Sequence, residues 1–225
     1  MKITIFDTET TGIFPKGDFN DINLCPYMLQ LGSITYDTNT NCIVDKINSI
    51  IKIPDNIEIP ETATEVNNIN KERTVKEGVE IEYILDIFNK QLKATDLLVA
   101  HNLEFDINIV NYECIRNNMD FEYKNMKKEQ LYCTMSHGTQ LCKIKKENTK
   151  GKYYKWPKLE ELHYHLFGQK LTNLHDAYND LIICLRCYMF MNFKIDVCDK
   201  NNDLKEQIES LIDNNNNNNN NELST

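Results

Sequence analysis

The spacing of hydrophobic and polar residues predicts strands and helices along most of the chain. Four short runs are rich in β-branched and apolar residues, as is typical of strands: residues 1–6, 28–37, 42–53 and 96–100. Four later segments repeat apolar residues at helical spacing: residues 79–92, 105–119, 158–168 and 176–193. The order of these elements, with several strands first and then a strand alternating with helices, predicts an α/β fold with a mixed central β-sheet flanked by helices.

The chain becomes polar after Asp196, which sets the predicted domain boundary. We expect one domain over residues 1–197 and a polar, asparagine-rich C-terminal tail over residues 198–225, largely disordered because it has little apolar surface to bury. Within the tail, LKEQIESLI (204–212) has the spacing of a small amphipathic helix. One hypothesis for this segment is that it docks a partner protein.

Composition and charge limit the class of protein. With 225 residues, 41% of them hydrophobic, the chain can build one sizeable core. A net charge of −9 argues against a broad basic nucleic-acid surface, although bound divalent metals or a local lysine cluster would supply positive charge. The most apolar stretch, residues 181–193, is short and contains Arg186, so no membrane partner is expected.

Cysteine usage indicates an intracellular, reducing compartment, either cytoplasm or nucleus. The eight cysteines show no framework of paired spacings, so we expect reduced thiols rather than disulfides. A composition rich in asparagine, lysine and isoleucine suggests an AT-rich coding genome, such as that of a large DNA virus or a protist.

Two carboxylates share one face of the first strand. In IFDTETTG (5–12), Asp7 and Glu9 are two residues apart, so their side chains point to the same side. Two nearby negative charges repel each other, and burial increases that penalty. A divalent cation between them would remove the conflict.

Three further candidates follow apolar elements later in the chain. Asp106 comes after the strand LLVA, and Asp180 lies in the first turns of the last long helix. Four carboxylates suit Mg²⁺ or Mn²⁺, and a pair of such ions serves in-line displacement at phosphorus. His175, predicted to lie just ahead of that helix, is the natural proton acceptor. Taken singly, each residue has an ordinary explanation in capping or solvent exposure; their joint occurrence favours a site.

The segments IFDTETTGI, AHNLEFD and HDAYND resemble the three motifs of the DEDDh, DnaQ-like 3′–5′ exonucleases of the ribonuclease H-like superfamily. The resemblance covers about residues 1–193, and the histidine five positions before Asp180 indicates the histidine subclass. Two features depart from the family pattern: Cys133 stands where many relatives have aspartate, and VNNIN (66–70) lacks a common His-Gly pair.

The resemblance implies a two-metal hydrolase with two Mg²⁺ ions, for which Mn²⁺ can substitute. Asp7, Glu9 and Asp180 would hold the first ion and His175 would take the proton of the attacking water. Asp7 would also contact the second ion, to which Asp106 would bind through water. The product would be nucleoside 5′-monophosphates, released from a 3′ end.

The resemblance also implies four substrate-binding residues. Thr10 would present its backbone to the terminal 3′-hydroxyl group, and Ile13 would wedge against the last base. His101 and Asn102 would lie near phosphate. Packing or capping at strand ends remains the alternative for these residues.

The expected partner is a nucleic-acid 3′ end. The sequence TETTG resembles the DNA proofreading branch of the family more than the oligoribonuclease branch. This resemblance favours single-stranded or frayed DNA in a proofreading or repair role, with a polymerase acting in trans; RNA is the alternative. A third hypothesis is a nucleic-acid-binding module that keeps the fold but has lost catalytic activity.

A lysine-rich loop interleaved with aromatic residues precedes His175. KIKKENTKGKYYKWPK (143–158) has seven lysines, one glutamate, and Tyr153, Tyr154 and Trp156. Lysines neutralise phosphates and aromatic faces stack on bases, so one hypothesis is that the loop guides a strand. The alternative is a solvated loop whose aromatic residues pack on the core.

Overall fold

A computed structural model describes residues 1–15, 21–149, 151–172 and 177–212. A five-stranded mixed sheet forms its centre, in the order β3-β2-β1-β4-β5. The strands are β1 Lys2–Thr10, β2 Met28–Asp37, β3 Cys42–Ile50, β4 Leu97–Ala100 and β5 Leu131–Cys133. β1, β2 and β3 pair antiparallel, whereas β4 and β5 run parallel to β1. The predicted α/β class and mixed sheet are therefore confirmed.

Helices cover both faces of the sheet. Their bounds are α1 Glu61–Asn67, α2 Lys71–Glu77, α3 Ile81–Lys93, α4 Leu103–Arg116, α5 Thr134–Cys142, α6 Leu159–Phe167, α7 Ala177–Phe193 and α8 Asn202–Ser210. Val79, predicted at the start of a helix, instead bridges to Ile51, and α3 begins two residues later. Within the described residues, no helix has both the length and the apolar character needed to cross a bilayer.

Side-chain alternation along β1 separates two apolar layers. Ile3 and Ile5 belong to the layer that contains α6 and α7. Phe6 points to the opposite side and packs with residues of α3 and α4. The sheet is therefore buried on both faces, as expected where parallel strands are connected through helices.

The amphipathic helix expected near the C-terminus is present as α8. Its buried residues Leu204 and Ile208, with Leu211, belong to the same apolar layer as α7. Tertiary packing thus extends to about residue 212, which corrects the expectation that the domain ends at residue 197. The apolar face of α8 is covered by this chain, so it is not available to a partner in this structure. Residues 213–225 lie outside the described part.

A second, two-stranded sheet stands apart from the central one. It consists of β6 (Lys145–Asn148) and β7 (Gly151–Tyr154), which form an antiparallel hairpin between α5 and α6. The lysine-rich loop is therefore a hairpin rather than an irregular segment.

Candidate active site

β1 carries the first two carboxylates to one edge of the central sheet. Asp7 and Glu9 lie near its end, on the side of Ile3 and Ile5 that faces α7. Because β4 and β5 run parallel to β1, the residues that follow those strands reach the same edge. The alternation of side chains along β1, predicted from the sequence, therefore places Asp7 and Glu9 close to the residues that follow β4 and β5.

Helix α7 adds the third carboxylate. Asp180 lies in its first turn, and Asp7, Glu9 and Asp180 each offer an oxygen within 4.8 Å of the other two. Gly32 of β2 pairs with Asp7, and a Cβ atom at Gly32 would lie only 3.0 Å from the Cβ atom of Ala177. The missing side chain lets the start of α7 approach the sheet at the level of Asp7. Sequence reasoning missed Gly32, although an isolated glycine within a strand is a known signal of close approach.

Asp106 lies beside this trio rather than within it. The side chain is 2% exposed, and its Oδ1 atom accepts hydrogen bonds from the backbone N–H group of Thr8 at 3.0 Å and from the Thr8 hydroxyl group at 2.8 Å. Burial and the charges of Asp7 and Glu9 raise the pKa of Asp106 well above its usual range, against the lowering effect of the Thr8 hydrogen bonds. Asp106 is therefore close enough for the charges of Asp7 and Glu9 to change its pKa. Its carboxylate is oriented by Thr8, which lies between those two residues in β1.

The electrostatics of the cluster fit a divalent cation. Burial, and then the charge of Asp180, raise the pKa of Asp7 to about 7. A cation shared by the carboxylates would compensate both effects, and a set of hard oxygen donors suits Mg²⁺ or Mn²⁺. The residues present thus fit the metal chemistry predicted from the sequence.

His175 lies outside the described residues, as do its neighbours at 173–176. Its role as proton acceptor remains a prediction from the sequence.

The two residues expected at the 3′ terminus lie just past the carboxylates. Ile13 is 84% exposed, and its contact with the terminal base remains a prediction from the resemblance. Thr10 is buried, and its hydroxyl group donates to the carbonyl of Gly12 at 2.6 Å. The carbonyl of Thr10 accepts a hydrogen bond from Asn67 Nδ2 at 3.2 Å.

Asn67 explains part of the segment VNNIN, whose role the sequence left open. It is buried, and while its Nδ2 atom supports Thr10, its Oδ1 atom accepts from the backbone N–H group of Ile69 at 3.0 Å. The segment therefore braces the end of β1. The sequence pattern did not identify Asn67 as a supporting residue, because its hydrogen bond to Thr10 joins residues 57 positions apart.

Both ring nitrogen atoms of His101, which was expected near phosphate, lie within hydrogen-bond distance of other groups of this chain. Its Nε2 atom lies 3.0 Å from the carbonyl oxygen of Pro157 and its Nδ1 atom 2.9 Å from the Thr134 hydroxyl group. Burial lowers the pKa of His101 to about 4, against the raising effect of the Pro157 hydrogen bond, so the ring is neutral near pH 7. Nε2 therefore donates to Pro157 and Nδ1 accepts from Thr134, which uses both nitrogen atoms.

Asn102 and Cys133 border a groove at the same edge of the sheet. Asn102 adopts a left-handed conformation with φ 77° ahead of α4, and Cys133 ends β5. Although burial raises the pKa of Cys133, hydrogen bonds from Ser136 and from the backbone N–H groups of Leu103 and Asn102 lower it overall. Cys133 thus accepts from these donors at the position where relatives have aspartate.

The sequence is similar to a known protein family and to two DNA polymerase III proteins. The RNase_T family model, described as "Exonuclease", matches residues 4–188. The chain is 32% identical over 113 residues to DNA polymerase III subunit epsilon of Treponema pallidum, covering 50% of this chain and 46% of that protein. It is 33% identical over 116 residues to the PolC-type DNA polymerase III of Ureaplasma parvum, covering 50% of this chain and 7% of that protein.

Solved structures show the same fold. E. coli exonuclease I in complex with a dT13 oligonucleotide matches with a TM-score of 0.65 and 18% identity, covering 94% of this chain and 46% of that one. The same enzyme in complex with dA16 matches with a TM-score of 0.63 and 16% identity, covering 86% and 41%. The ribonuclease H-like fold is therefore confirmed, while the chain spans less than half the length of these relatives.

Proposed function

Because the chain belongs to the exonuclease family whose model spans residues 4–188, we propose that it is a metal-dependent 3′–5′ exonuclease. The observation that carries the proposal is the convergence of Asp7, Glu9 and Asp180 within 4.8 Å, with Asp106 beside them. These are the residues in which the sequence motifs and the geometry agree. Hydrolysis of a terminal phosphodiester bond is the reaction that such a cluster supports.

In this proposal the carboxylates hold two divalent cations, Mg²⁺ or Mn²⁺. Asp7, Glu9 and Asp180 would hold the first ion, and Asp7 and Asp106 would hold the second. Bound cations lower the pKa of the attacking water and offset negative charge on the departing 3′ oxygen. Each cycle releases a nucleoside 5′-monophosphate.

The remaining residues position the substrate and move the proton. His175 accepts the proton of the attacking water. The exposed side chain of Ile13 wedges against the terminal base, and the backbone at Thr10 faces the terminal 3′-hydroxyl group, held in place by Asn67. Asn102, at the start of α4, lies near the phosphate.

We favour single-stranded or frayed DNA as the substrate, in a proofreading or repair role. The relatives support this choice, since one is a subunit of DNA polymerase III, another is a PolC-type DNA polymerase III, and the exonuclease I structures contain oligodeoxynucleotides. A polymerase acting in trans would be the matching partner. RNA is the alternative substrate.

The test is a degradation assay with 5′-labelled oligonucleotides, run side by side on DNA and RNA, single- and double-stranded. We expect a ladder that shortens from the 3′ end with Mg²⁺ or Mn²⁺ and no reaction with chelator. Asp7→Asn should abolish the ladder, whereas Asp55→Asn, an exposed aspartate, should not. Metal-dependent cleavage of RNA alone would reassign the substrate, and absence of any cleavage would leave a binding module instead.

A further inference from the structure

The β6–β7 hairpin exposes lysine and tyrosine side chains together. Lys145 pairs with Tyr154 and Lys146 with Tyr153, and cross-strand partners point to the same face of a hairpin. Because neighbouring residues alternate, the two pairs lie on opposite faces, and each face presents a lysine beside a tyrosine. All residues described in both strands are exposed. The alternative in which these aromatic residues pack on the core is therefore wrong for this structure.

The chain leaving the hairpin is fixed to the catalytic edge of the sheet. The ammonium group of Lys155 forms an ion pair with Glu161 of α6, at 2.6 Å from Oε2. Two residues later, the carbonyl of Pro157 accepts the hydrogen bond from His101, which directly follows β4. Trp156 lies between these two anchors, so its backbone is held while its side chain is 68% exposed.

A groove extends from Trp156 to the ends of β4 and β5, at the edge of the sheet where the carboxylates also lie. It starts at Asn102 and Cys133, where β4 and β5 end, and Trp156 forms part of its wall. Its volume of about 590 Å³ is within the range of ligand-binding clefts. Polar side chains of α4 and its surroundings complete the lining, among them Asn108, Asn111, Tyr123, Lys124 and Ser136.

The hairpin carries net positive charge in an acidic protein: residues 145–154 contain four lysines and one carboxylate, Glu147, which is the cross-strand partner of Lys152. Across the described part of the chain, no carboxylate forms an ion pair with Lys145, Lys146 or Lys152, while the whole sequence has a net charge of −9. Free ammonium groups attract phosphates, and exposed aromatic faces stack on unpaired bases. The combination is complementary to a single-stranded polynucleotide.

We propose that the groove and the β6–β7 hairpin bind an unpaired strand on the 5′ side of the nucleotide that enters the carboxylate site. Trp156 stacks on a base, and Lys145, Lys146 and Lys152 contact phosphates. Stacking on Trp156 needs an unpaired base, so the surface selects single strands over duplex. The direction of the strand rests on the proposed exonuclease function; binding itself does not require hydrolysis.

Trp156 is the only tryptophan in the chain, so intrinsic fluorescence tests the contact directly. The full chain, kept in chelator to prevent hydrolysis, is titrated with oligo(dT) or oligo(rU) of about 12 nucleotides, a length in the range of single-strand binding sites. We expect tryptophan quenching by both single strands and little by a blunt duplex. Saturated binding of a labelled oligonucleotide, measured by anisotropy, without any change in tryptophan emission would overturn the proposal.

Substitutions separate stacking from charge, with anisotropy as the readout. Trp156→Ala should weaken binding at least about five-fold, and Trp156→Phe should recover part of the loss because a ring remains. Replacing Lys145, Lys146 and Lys152 with alanine should reduce the slope of log affinity against log salt by about 2.

The matched control replaces three exposed lysines on other elements, namely Lys76, Lys90 and Lys205, with alanine. It makes the same change in net charge and should leave the salt slope nearly unchanged. Circular dichroism confirms that each variant is folded, as expected for exposed positions. Equal affinity in wild type, Trp156→Ala and the hairpin triple variant would reject the surface.

The two proposals fail in different ways. Quenching by single strands without metal-dependent cleavage would retain the binding surface and remove the exonuclease function. Cleavage by wild type, together with tryptophan emission that does not change when an oligonucleotide binds, would retain the exonuclease function and remove the binding surface.

Discussion

The Asp106 carboxylate is held by Thr8, whose backbone N–H group and hydroxyl group both donate to Oδ1 at 3.0 and 2.8 Å. Thr8 stands between Asp7 and Glu9 in β1, and its side chain points to the opposite face of the sheet. These two hydrogen bonds connect the motif AHNLEFD, which contains Asp106, to the motif IFDTETTGI, which contains Thr8. The orientation of Asp106 follows from the backbone of β1 rather than from its own helix alone.

Thr8→Val tests this connection. The substitution keeps the shape of the side chain but removes one donor to a buried carboxylate, so we expect a loss of about 1–3 kcal/mol in the free energy of unfolding. Removing the donor also raises the pKa of Asp106 further, because the hydroxyl group favours the charged form. The Mg²⁺ concentration needed for half-maximal activity should therefore increase.

Urea unfolding and Mg²⁺ titrations of activity measure the two effects. Thr35→Val is the matched control: it removes a buried hydroxyl group of the same sheet, bonded to Thr4 at 2.9 Å and remote from the carboxylates. It should reduce stability without changing the Mg²⁺ requirement. An unchanged Mg²⁺ requirement in Thr8→Val would show that the connection has no part in metal binding.

Gly32→Ala should separate α7 from the sheet. The added methyl group would lie 3.0 Å from the Cβ atom of Ala177 and 3.1 Å from Leu181 Cδ1, so the helix has to shift by a few tenths of an ångström. We expect an overpacking penalty of about 1–3 kcal/mol and weaker metal binding, since Asp180 moves with the helix. Calorimetric titration with Mn²⁺ measures the affinity.

Gly138→Ala is the control for Gly32→Ala. Its Cβ atom would meet Leu162 Cδ1 at 2.9 Å, a similar crowding in a helix that carries none of the four carboxylates. Mn²⁺ affinity should be unchanged there. Equal Mn²⁺ affinity in Gly32→Ala and wild type would contradict the role given to the glycine.

Local patterns in the sequence predicted most helices and strands and the positions of Asp7, Glu9 and Asp180 within them. Contacts between residues far apart in the chain could not be predicted in this way. Alternation along β1 gave the common face of Asp7 and Glu9, and helical periodicity placed Asp180 at the start of α7. The hydrogen bonds that engage both nitrogen atoms of His101 come from residues 33 and 56 positions away, so the local motif did not predict them. The spacing after Asp196 likewise predicted the amphipathic helix α8 but not that its apolar face packs in the same layer as α7.

Metal binding should stabilise the folded protein through Asp7. For a ligand that binds only the native state, a concentration of 100 times Kd adds about 2.7 kcal/mol, so Mg²⁺ should raise the midpoint of thermal unfolding. Asp7→Asn should lose most of this rise. In chelator above about pH 7, where Asp7 is charged, the variant should be at least as stable as wild type because a buried repelling charge has been removed.

Differential scanning fluorimetry with Mg²⁺ or chelator provides the measurement. Asp55→Asn, which changes the same charge on the surface, should retain the full response to Mg²⁺. A Mg²⁺-dependent rise of equal size in Asp7→Asn would mean that the stabilising ion binds elsewhere.

His163 should make the protein less stable in mild acid. Its ring is buried, with Nε2 accepting from Arg186 Nη1 at 2.9 Å and Nδ1 donating to the carbonyl of Gln169 at 3.2 Å. Burial and the Arg186 charge lower the pKa of His163 to about 4, against weaker raising effects of the Gln169 hydrogen bond and Asp196. The unfolded chain, with a pKa of about 6.5, therefore binds a proton that the folded chain does not.

The stability contributed by neutral His163 is thus fully present above about pH 6.5 and is lost as the pH falls towards 4, by up to about 3 kcal/mol. His163→Gln keeps an acceptor for Arg186 but does not titrate. The difference in unfolding free energy between the two proteins, measured by urea denaturation, should shift in favour of the variant as the pH falls. A difference that stays constant between about pH 7 and pH 4.5 would contradict the assignment.

Truncation separates the packed part of the C-terminal region from the rest. Ending the chain after residue 197 removes Leu204, Ile208 and Leu211, and fully burying one such side chain is worth about 1.5–3 kcal/mol, so we expect a loss of several kcal/mol in the free energy of unfolding. Ending it after residue 212 keeps every contact of α8 within the described residues, so we expect an unchanged unfolding midpoint. Leu204→Ala in the full chain should reproduce part of the first effect, and Lys205→Ala, the neighbouring exposed residue, should not. If the chain ending at residue 197 unfolds at the wild-type denaturant concentration, α8 contributes nothing to the core, and the segment is again free to dock a partner.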